Sequence, residues 1–182
     1  TARVVAGGRL HFGFCNLSLA HERLYGGIGV ALERPRTVVA AGAAEGIEAP
    51  DGEARAYAGR SVEHLGVPGA TVEIEDRLPR HVGLGSGTQL ALSIHAAIAR
   101  AHGREPDVRA AAPALDRGGR SGVGVAAFET GGFVVDAGHP TERFTADRPA
   151  RGEWTVPAVV ARHAIPDDWR FVLAIPAIER GR

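Results

Sequence analysis

Pro79-Arg-His-Val-Gly-Leu-Gly-Ser-Gly-Thr-Gln-Leu90 is the stretch of sequence that decides the fold. Its glycines alternate through Gly83, Gly85 and Gly87, and a long helical pattern follows at once. Glycine lets the backbone bend and lets a ligand approach the amides closely. The first turn of a helix carries free N–H groups and a partial positive charge. The loop over residues 79–90 is therefore predicted to bind phosphate or pyrophosphate, although glycine and serine also begin helices for capping alone.

Two familiar nucleotide-binding motifs do not fit this loop. A P-loop ends in Gly-Lys-Ser/Thr, and the sequence contains no lysine, since all 21 basic residues are arginine. The spacing Gly-x-Gly-x-Gly also differs from a dinucleotide fingerprint, and residues 77–81 are a poor buried strand. A phosphate clamp here must use arginine, histidine, backbone amides or a metal ion. Arginine suits phosphate because its planar fork binds two oxygens at once.

The composition is that of one globular domain. The chain has 182 residues, of which 45% are hydrophobic, enough for a single core of ordinary size. Its 21 basic and 21 acidic residues cancel, so no overall field recruits nucleic acid. No apolar run is long enough to predict a membrane span, and the single Cys15 cannot form an internal disulfide. We expect one cytoplasmic domain over residues 1–182, without nucleic-acid or membrane partners.

Hydrophobic periodicity predicts an α+β fold, because strands and helices do not alternate regularly. The predicted strands cover residues 3–14, 27–41, 70–77, 132–136 and 169–175. The predicted helices cover residues 52–66, 86–102, 107–115 and 121–128. Gly7-Gly8 and Gly26-Gly27 are interpreted as turns, and residues 139–153 as a loop with one short strand near residues 143–145. His95 and His102 are expected on the surface of the helix that follows the loop.

Three ordered segments carry a family resemblance. Residues 79–92 resemble the glycine-rich phosphate loop of the GHMP kinase superfamily, which includes galactokinase, homoserine kinase and mevalonate kinase. Arg9-Leu-His-Phe-Gly-Phe14 with Tyr25-Gly-Gly-Ile-Gly-Val-Ala-Leu32, and the segment 118–136 ending near His139, resemble two further motifs of one branch. That branch is the β-ribofuranosylaminobenzene 5′-phosphate synthases of tetrahydromethanopterin biosynthesis.

The resemblance implies the GHMP kinase N-terminal domain, with the ribosomal protein S5 domain 2-like fold. Members normally carry a second, ferredoxin-like domain at the C-terminus. The chain ends soon after a predicted strand, so we expect that second domain to be absent. Residues 140–182 are then interpreted as a connection toward it.

The resemblance also implies a reaction. Kinase members often carry Ser-Gly-x-Asp in the third motif, and here Ser121-Gly-Val-Gly124 places glycine where that carboxylate would stand. Glycine cannot accept a proton, which favours the synthase over phosphoryl transfer. The implied enzyme is a decarboxylating pentosyltransferase that joins 4-aminobenzoate to phosphoribosyl pyrophosphate and releases CO2 and pyrophosphate, with Mg²⁺ or another divalent cation. An ATP-dependent small-molecule kinase and an inactive domain that binds a phosphorylated ligand remain alternatives, and a homodimer is left open.

Candidate site residues follow from the motifs, and for the charged ones an ordinary surface position is the alternative. The residues predicted to hold pyrophosphate are Arg80, His81, Gly83, Gly85, Ser86, Gly87 and Thr88. The predicted catalytic residues are Arg9, His11, Arg120 and Ser121, with a helix cap as the alternative for Ser121. The predicted substrate-binding residues are Tyr25, Arg117, Asp136 and His139. No metal ligands are assigned, because two nearby polar residues are weak grounds for a metal site.

Overall fold

A computed structural model describes residues 1–143 and 149–175 of the chain. The fold is a mixed sheet with helices, which confirms the α+β prediction. The strands are β1 (Ala2–Asn16), β2 (Arg23–Ala43), β3 (Ile47–Glu48), β4 (Ala70–Asp76), β5 (Phe133–Asp136), β6 (His139–Pro140) and β7 (Val159–His163). The helices are α1 (Gly52–Leu65), α2 (Ser86–Ala101), α3 (Val108–Ala111) and α4 (Val123–Thr130).

Strand β2 organises the sheet. The strand order is β3-β4-β2-β5-β7, with β1 and β6 also pairing with β2. Strand β1 runs antiparallel along nearly all of β2, from the pair Ala2–Ala41 to the pair Asn16–Tyr25. On its other edge, β2 pairs with β4 through residues 38–43 and with β5 through residues 28–30. One long strand therefore joins the two halves of the domain.

The helices cover one face of the sheet. Along β1 and β4, buried residues such as Val4 and Val72 alternate with exposed ones such as Val5 and Glu73, the pattern of a sheet with one covered face. Helix α2 contacts β1, β2, α1 and α4 and forms the centre of the core. Every residue from Gln89 to Ala99 is buried, because α2 is surrounded on all sides.

His95 is a correction to the sequence analysis. It is only 1% exposed and packs 5.6 Å from the His64 ring, between centroids. Burial, with His64 adding, lowers the pKa of His95 to about 4, while Asp107 opposes the shift. The surface prediction was wrong because the apolar pattern marked only one face of α2, whereas the fold buries the opposite face too. His102 is half-buried, with its Nε2 2.8 Å from the carbonyl oxygen of Gly69.

Both predicted glycine turns were wrong. Gly7-Gly8 lies inside β1 at an irregularity in the pairing, and Gly26-Gly27 lies inside β2. These glycines serve close approach instead of chain reversal. A Cβ on Gly7 would lie 1.6 Å from the carbonyl oxygen of Leu32. The actual connection between β1 and β2 covers residues 17–22.

Most other elements agree with the prediction, but the short strands β3 and β6 were not predicted, and three further elements differ. The helix predicted over residues 107–115 is only the single turn α3, which Asp107 caps through Ala110 N–H and which ends before Pro113. The helix predicted from Ser121 begins at Val123. Residues 169–175 form no strand, and the strand next to β5 is the unpredicted β7. The short strand expected near residues 143–145 extends into residues outside the described ranges.

Across residues 1–143 and 149–175, no helix is both long enough and apolar enough to cross a membrane.

Candidate functional site

The glycine loop opens helix α2 with bare backbone. Gly85 takes the position before the helix with a φ of 75°, in the left-handed region that glycine adopts without strain. No side chain caps this end of α2 among the residues described. Thr88 N–H donates to the Gly85 carbonyl at 3.0 Å, so the N–H groups just before it, at residues 86 and 87, are the ones left for water or a ligand. The helix dipole favours an anion there.

The loop forms one wall of a pocket of about 340 Å³. All seven residues predicted to hold pyrophosphate line it, namely residues 80, 81, 83 and 85–88. Arg117, predicted from the third motif to bind substrate, lines the same pocket. The structure thus brings together two segments about 30 residues apart in sequence, in a pocket sized for a small charged ligand.

Arg9 fixes the loop instead of projecting freely into the pocket. Its backbone N–H donates to the carbonyl of Leu84 at 3.0 Å, and its Nη1 donates to the carbonyl of Gly83 at 2.6 Å. A Cβ on Gly85 would lie 3.2 Å from the Arg9 guanidinium. Burial lowers the pKa of Arg9 below its ordinary value. The first motif therefore sets the shape of the second by direct contact.

Two further arginines face the pocket in different ways. Arg117 contacts the hydroxyl of Tyr57, stacks 5.2 Å from that ring's centroid, and would lie 3.3 Å from a Cβ on Gly87. Arg80 forms an ion pair of 3.3 Å with Glu53 and is half exposed. Glu53 also lies 3.4 Å from Arg77. Sequence reasoning missed Glu53 as a pocket residue, because no local pattern shows that the first turn of α1 meets the loop.

The third motif is anchored by Asp136 at the end of β5. Its Oδ2 accepts from the Ser121 hydroxyl and from Gly122 N–H, both at 2.8 Å, and its Oδ1 accepts from Gly138 N–H at 2.8 Å. Ser121 Oγ also accepts from Val123 N–H at 3.1 Å and so supports the turn that leads into α4, where Gly122 takes the N-cap position. These three donors all belong to the protein, and the role of Asp136 toward substrate stays a prediction.

Gly27 permits the first and third motifs to meet. A Cβ there would lie 2.1 Å from Ser121 Oγ and 2.7 Å from Asp136 Oδ2. Only glycine allows β2 to lie this close to the turn before α4.

Aromatic rings line the region beside this junction. The rings of His11 and Phe14 lie 4.8 Å apart, those of Phe14 and Tyr25 5.2 Å, and those of Tyr25 and His139 6.4 Å. We call these four residues the aromatic cluster. Burial and, less strongly, Arg9 lower the pKa of His11, while Asp136 opposes the shift. His139 is buried, and burial lowers its pKa; its Nε2 lies 3.1 Å from the carbonyl oxygen of Gly118.

The comparisons with known proteins agree with this arrangement. The profile of the family described as GHMP kinases N terminal domain matches residues 54–132, which include the loop and most of the third motif. A curated relative from Methanothermobacter thermautotrophicus, named beta-ribofuranosylphenol 5'-phosphate synthase, is 36% identical over 187 residues covering 94% of this chain. Residues 54–132 of this chain are a GHMP kinase N-terminal domain.

A second curated relative of the same name, from Methanocaldococcus jannaschii, is 33% identical over 196 residues and 92% of this chain. The chain spans 57% of the length of each of these two relatives. The similarity runs through all three motifs, since it covers nearly the whole chain.

Solved structures of the superfamily share the fold. The mevalonate kinase of Methanococcus jannaschii matches with a TM-score of 0.56 over 82% of this chain and 56% of its own, at 8% identity. A 4-(cytidine 5'-diphospho)-2C-methyl-D-erythritol kinase matches with a TM-score of 0.54 over 87% of this chain and 55% of its own, at 20% identity. The predicted GHMP kinase N-terminal fold is confirmed.

Gly124 differs from the kinase motif of the superfamily in a physically informative way. Its buried backbone carbonyl accepts from Gln89 Nε2 at 2.9 Å, and a Cβ there would lie 3.2 Å from Thr88 Cγ2. The position faces the first turn of α2 with no side chain of its own. The third motif therefore places no carboxylate beside the phosphate loop at this position.

The remaining predicted residues stand apart from the pocket. Arg120 is exposed on the turn before α4. Within the described ranges no group of three or more His, Cys, Asp or Glu residues is close enough to hold a metal ion. The roles of Arg120, Asp136 and His139 stay predictions.

Proposed function

We propose that this GHMP-family chain carries the pentosyl-transfer site of a decarboxylating synthase. The donor would be phosphoribosyl pyrophosphate, and the acceptor a benzoate with an electron-donating group opposite its carboxylate. The products would be a β-ribofuranosyl arene 5′-phosphate, pyrophosphate and CO2. We place the reaction in tetrahydromethanopterin biosynthesis, as the family resemblance implies.

One observation carries the proposal: a phosphate-sized pocket of glycine amides and arginines lies beside Gly124, where a kinase carboxylate would stand. Pyrophosphate departure requires donors for developing negative charge. Because CO2 leaves the ring carbon where a proton otherwise would, the reaction does not require a strong general base. The site supplies donors for the departing pyrophosphate. At position 124 it lacks the carboxylate that only a kinase would use.

The loop residues would act on the leaving group. Residues 85–87 and Arg117 line the same pocket, so the backbone amides there and the Arg117 guanidinium would bind the pyrophosphate as its charge grows. Arg80 would exchange its half-buried partner Glu53 for a phosphate oxygen. Arg9 would hold the loop in place, so that the donors need little rearrangement during the reaction.

A divalent cation would bind in this pocket together with the substrate, because the pocket walls offer few protein ligands. The oxygen ligands on its wall are the Glu53 carboxylate and the hydroxyls of Ser86 and Thr88. Mg²⁺ commonly takes one or two protein ligands and completes its shell with water and phosphate oxygens. When bound, it would neutralise charge on the pyrophosphate.

Two similar compounds are candidates for the acceptor. The sequence resemblance points to 4-aminobenzoate, whereas the curated relatives are named for a ribofuranosylphenol product, which corresponds to 4-hydroxybenzoate. Both acceptors are planar and carry a donor group opposite the carboxylate. The relatives' name favours the hydroxyl compound as the first acceptor to test.

The deciding experiment measures release of labelled CO2 from carboxyl-labelled 4-hydroxybenzoate and, separately, from 4-aminobenzoate. Each reaction contains the purified chain, Mg²⁺ and phosphoribosyl pyrophosphate. We expect release that depends on phosphoribosyl pyrophosphate and not on ATP. Parallel reactions with ATP and a panel of small alcohols test the kinase alternative. ATP consumption without CO2 release would replace the proposal with a kinase, and loss of both activities would leave a ligand-binding domain.

A further inference from the structure

The aromatic cluster is a half-open surface with the right chemistry for a planar ring. Phe14 is 39% exposed and meets the His11 imidazole edge to face, while Tyr25 tilts against its other side. Aromatic rings favour such edge and offset contacts, and one more ring can join the arrangement. Arg9 and Asp136 are close enough to His11 to influence its pKa, so the cluster adjoins both the loop and the third motif.

His11 carries an unused hydrogen-bonding atom. Its Nε2 is buried and has no hydrogen-bond partner among the residues described. Buried polar atoms in native proteins nearly always have a partner, and each exception calls for an explanation. Burial and the neighbouring Arg9 lower the pKa of His11, which favours the neutral imidazole. A neutral imidazole keeps one ring nitrogen as an acceptor.

Tyr25 is held in an unfavourable backbone conformation. Its φ is 71°, which is a genuine outlier for a bulky residue. Strain of this kind persists where the surrounding structure enforces it, and it concentrates at ligand sites. The next two residues are closely packed: Gly26 lies against Cys15, and Gly27 lies against Ser121 and Asp136.

We propose that the aromatic cluster is the acceptor subsite, with a para-hydroxy or para-amino benzoate packed against Phe14 and Tyr25 and its para group donating to His11 Nε2. This subsite rests on the proposed pentosyl transfer and adds the acceptor's position and orientation. The carboxylate end of the ring then faces Arg9 and the phosphate loop, where ribosyl C1 would lie.

This orientation places His11 where it can assist the reaction. A carbon–carbon bond forms between ribosyl C1 and the ring carbon that bears the carboxylate. The C1–oxygen bond breaks, and its electron pair leaves with pyrophosphate. The ring–carboxylate bond then breaks, CO2 departs, and that electron pair restores the aromatic ring. While the ring is electron-poor, the para group's proton moves toward His11 Nε2 and returns at the end.

The test compares binding of 4-hydroxybenzoate with binding of benzoate, which lacks the para group. Ligand-observed NMR titrations use the purified chain with pyrophosphate present. We expect wild type to prefer 4-hydroxybenzoate, and His11→Ala to reduce that preference about tenfold by removing one buried hydrogen bond. His11→Gln should restore part of it, because the amide can still accept.

Two aromatic variants complete the test. Phe14→Ala should weaken binding of both ligands to a similar extent, because it removes ring packing and not the hydrogen bond. Phe12→Ala is the matched control: Phe12 is exposed and stacks on Phe133, outside the cluster, so neither ligand should be affected. Thermal unfolding of each variant checks that it remains folded.

An unchanged preference in both His11 variants, or no binding of either ligand to wild type, would overturn the subsite. Its failure is distinguishable from failure of the proposed function. Acceptor binding with these signatures but no CO2 release leaves the subsite standing and removes the pentosyl transfer. If CO2 is released but the acceptor KM is unchanged in the His11 and Phe14 variants, the pentosyl transfer stands and the subsite is removed.

Discussion

Gly83 in the phosphate loop and Gly27 in β2 have opposite reasons to be glycine. Gly83 has a φ of 82° and open space where a Cβ would lie, so the backbone angle alone favours glycine there. Gly27 has no positive φ, but a Cβ there would strike Ser121, Asp136 and Val123. At Gly83 the loop has open space, whereas at Gly27 the β2 junction is filled by packed atoms. Changes at the junction should therefore lower stability, and changes at the loop should mainly alter ligand affinity.

Gly27→Ala should break this comparison most severely. The added methyl would displace the Ser121–Asp136 hydrogen bond and press on Val123, so we expect a loss of about 3 kcal/mol in the free energy of unfolding. Urea unfolding measures the loss. Gly59→Ala is the matched control, because the nearest atom to its Cβ is 3.8 Å away and the position is helical. That control should gain about 0.5–1 kcal/mol. Equal effects at both positions would refute the packing argument.

His95 is buried in the core, and its lowered pKa makes the stability of the domain depend on pH. The pKa of His95 is lowered to about 4, so between its ordinary value near 6.5 and pH 4 the unfolded chain binds a proton that the native chain does not. Stability should therefore fall with the pH across that window, by about 3 kcal/mol for this group. Unfolding of His95→Gln at pH 7 and pH 4 should lack this component. His21→Gln, at an exposed position, should retain it.

Arg80→Gln tests whether the phosphate-loop pocket binds the pyrophosphate group of the donor. Losing one charge-assisted contact to pyrophosphate should raise the KM for phosphoribosyl pyrophosphate about tenfold, with little change in stability, because Arg80 is half exposed. Arg77→Gln is the control: Arg77 also pairs with Glu53 but does not line the pocket. If steady-state kinetics show the same rise in both variants, Arg80 acts through Glu53 and not on the ligand.

Gly83→Ala should have the smallest effect. Alanine pays about 1 kcal/mol to hold a left-handed φ, and no atom within 4 Å opposes its methyl. Gly83→Asn should cost less, because asparagine tolerates this conformation better. Thermal unfolding of the pair measures the difference. A loss at Gly83 as large as that at Gly27 would mean that the loop, too, is closed by packing.

The loop and α2 could be predicted because their signals are local. The glycine spacing and the apolar residues of α2 lie within one short stretch, and all seven loop residues line one pocket. Their role in binding pyrophosphate stays a prediction. Strand β7 could not be separated from residues 169–175, since both are apolar and only pairing with β5 decides which becomes a strand. Glu53 and His95 depend on how α1 packs against the loop and α2, which no local pattern contains.

The turns predicted at Gly7-Gly8 and Gly26-Gly27 failed for a related reason. Glycine pairs are common at chain reversals, so the local statistics favour a turn. In this chain the requirement at both places is close approach by a distant segment: the carbonyl of Leu32 at Gly7, and Ser121 with Asp136 at Gly27. A single sequence cannot show which of the two reasons applies.

The long β2 strand also has a consequence for the speed of folding. Its residues 28–30 pair with residues 133–135, so the sheet cannot close until most of the chain has been brought together. Contacts this distant in sequence slow folding, because the loop entropy is lost before the contact forms. The same strand has partners on both edges at that point, and its central amides should be the last to exchange with deuterium. Folding of this domain is expected to be slow to begin and cooperative once β2 is enclosed.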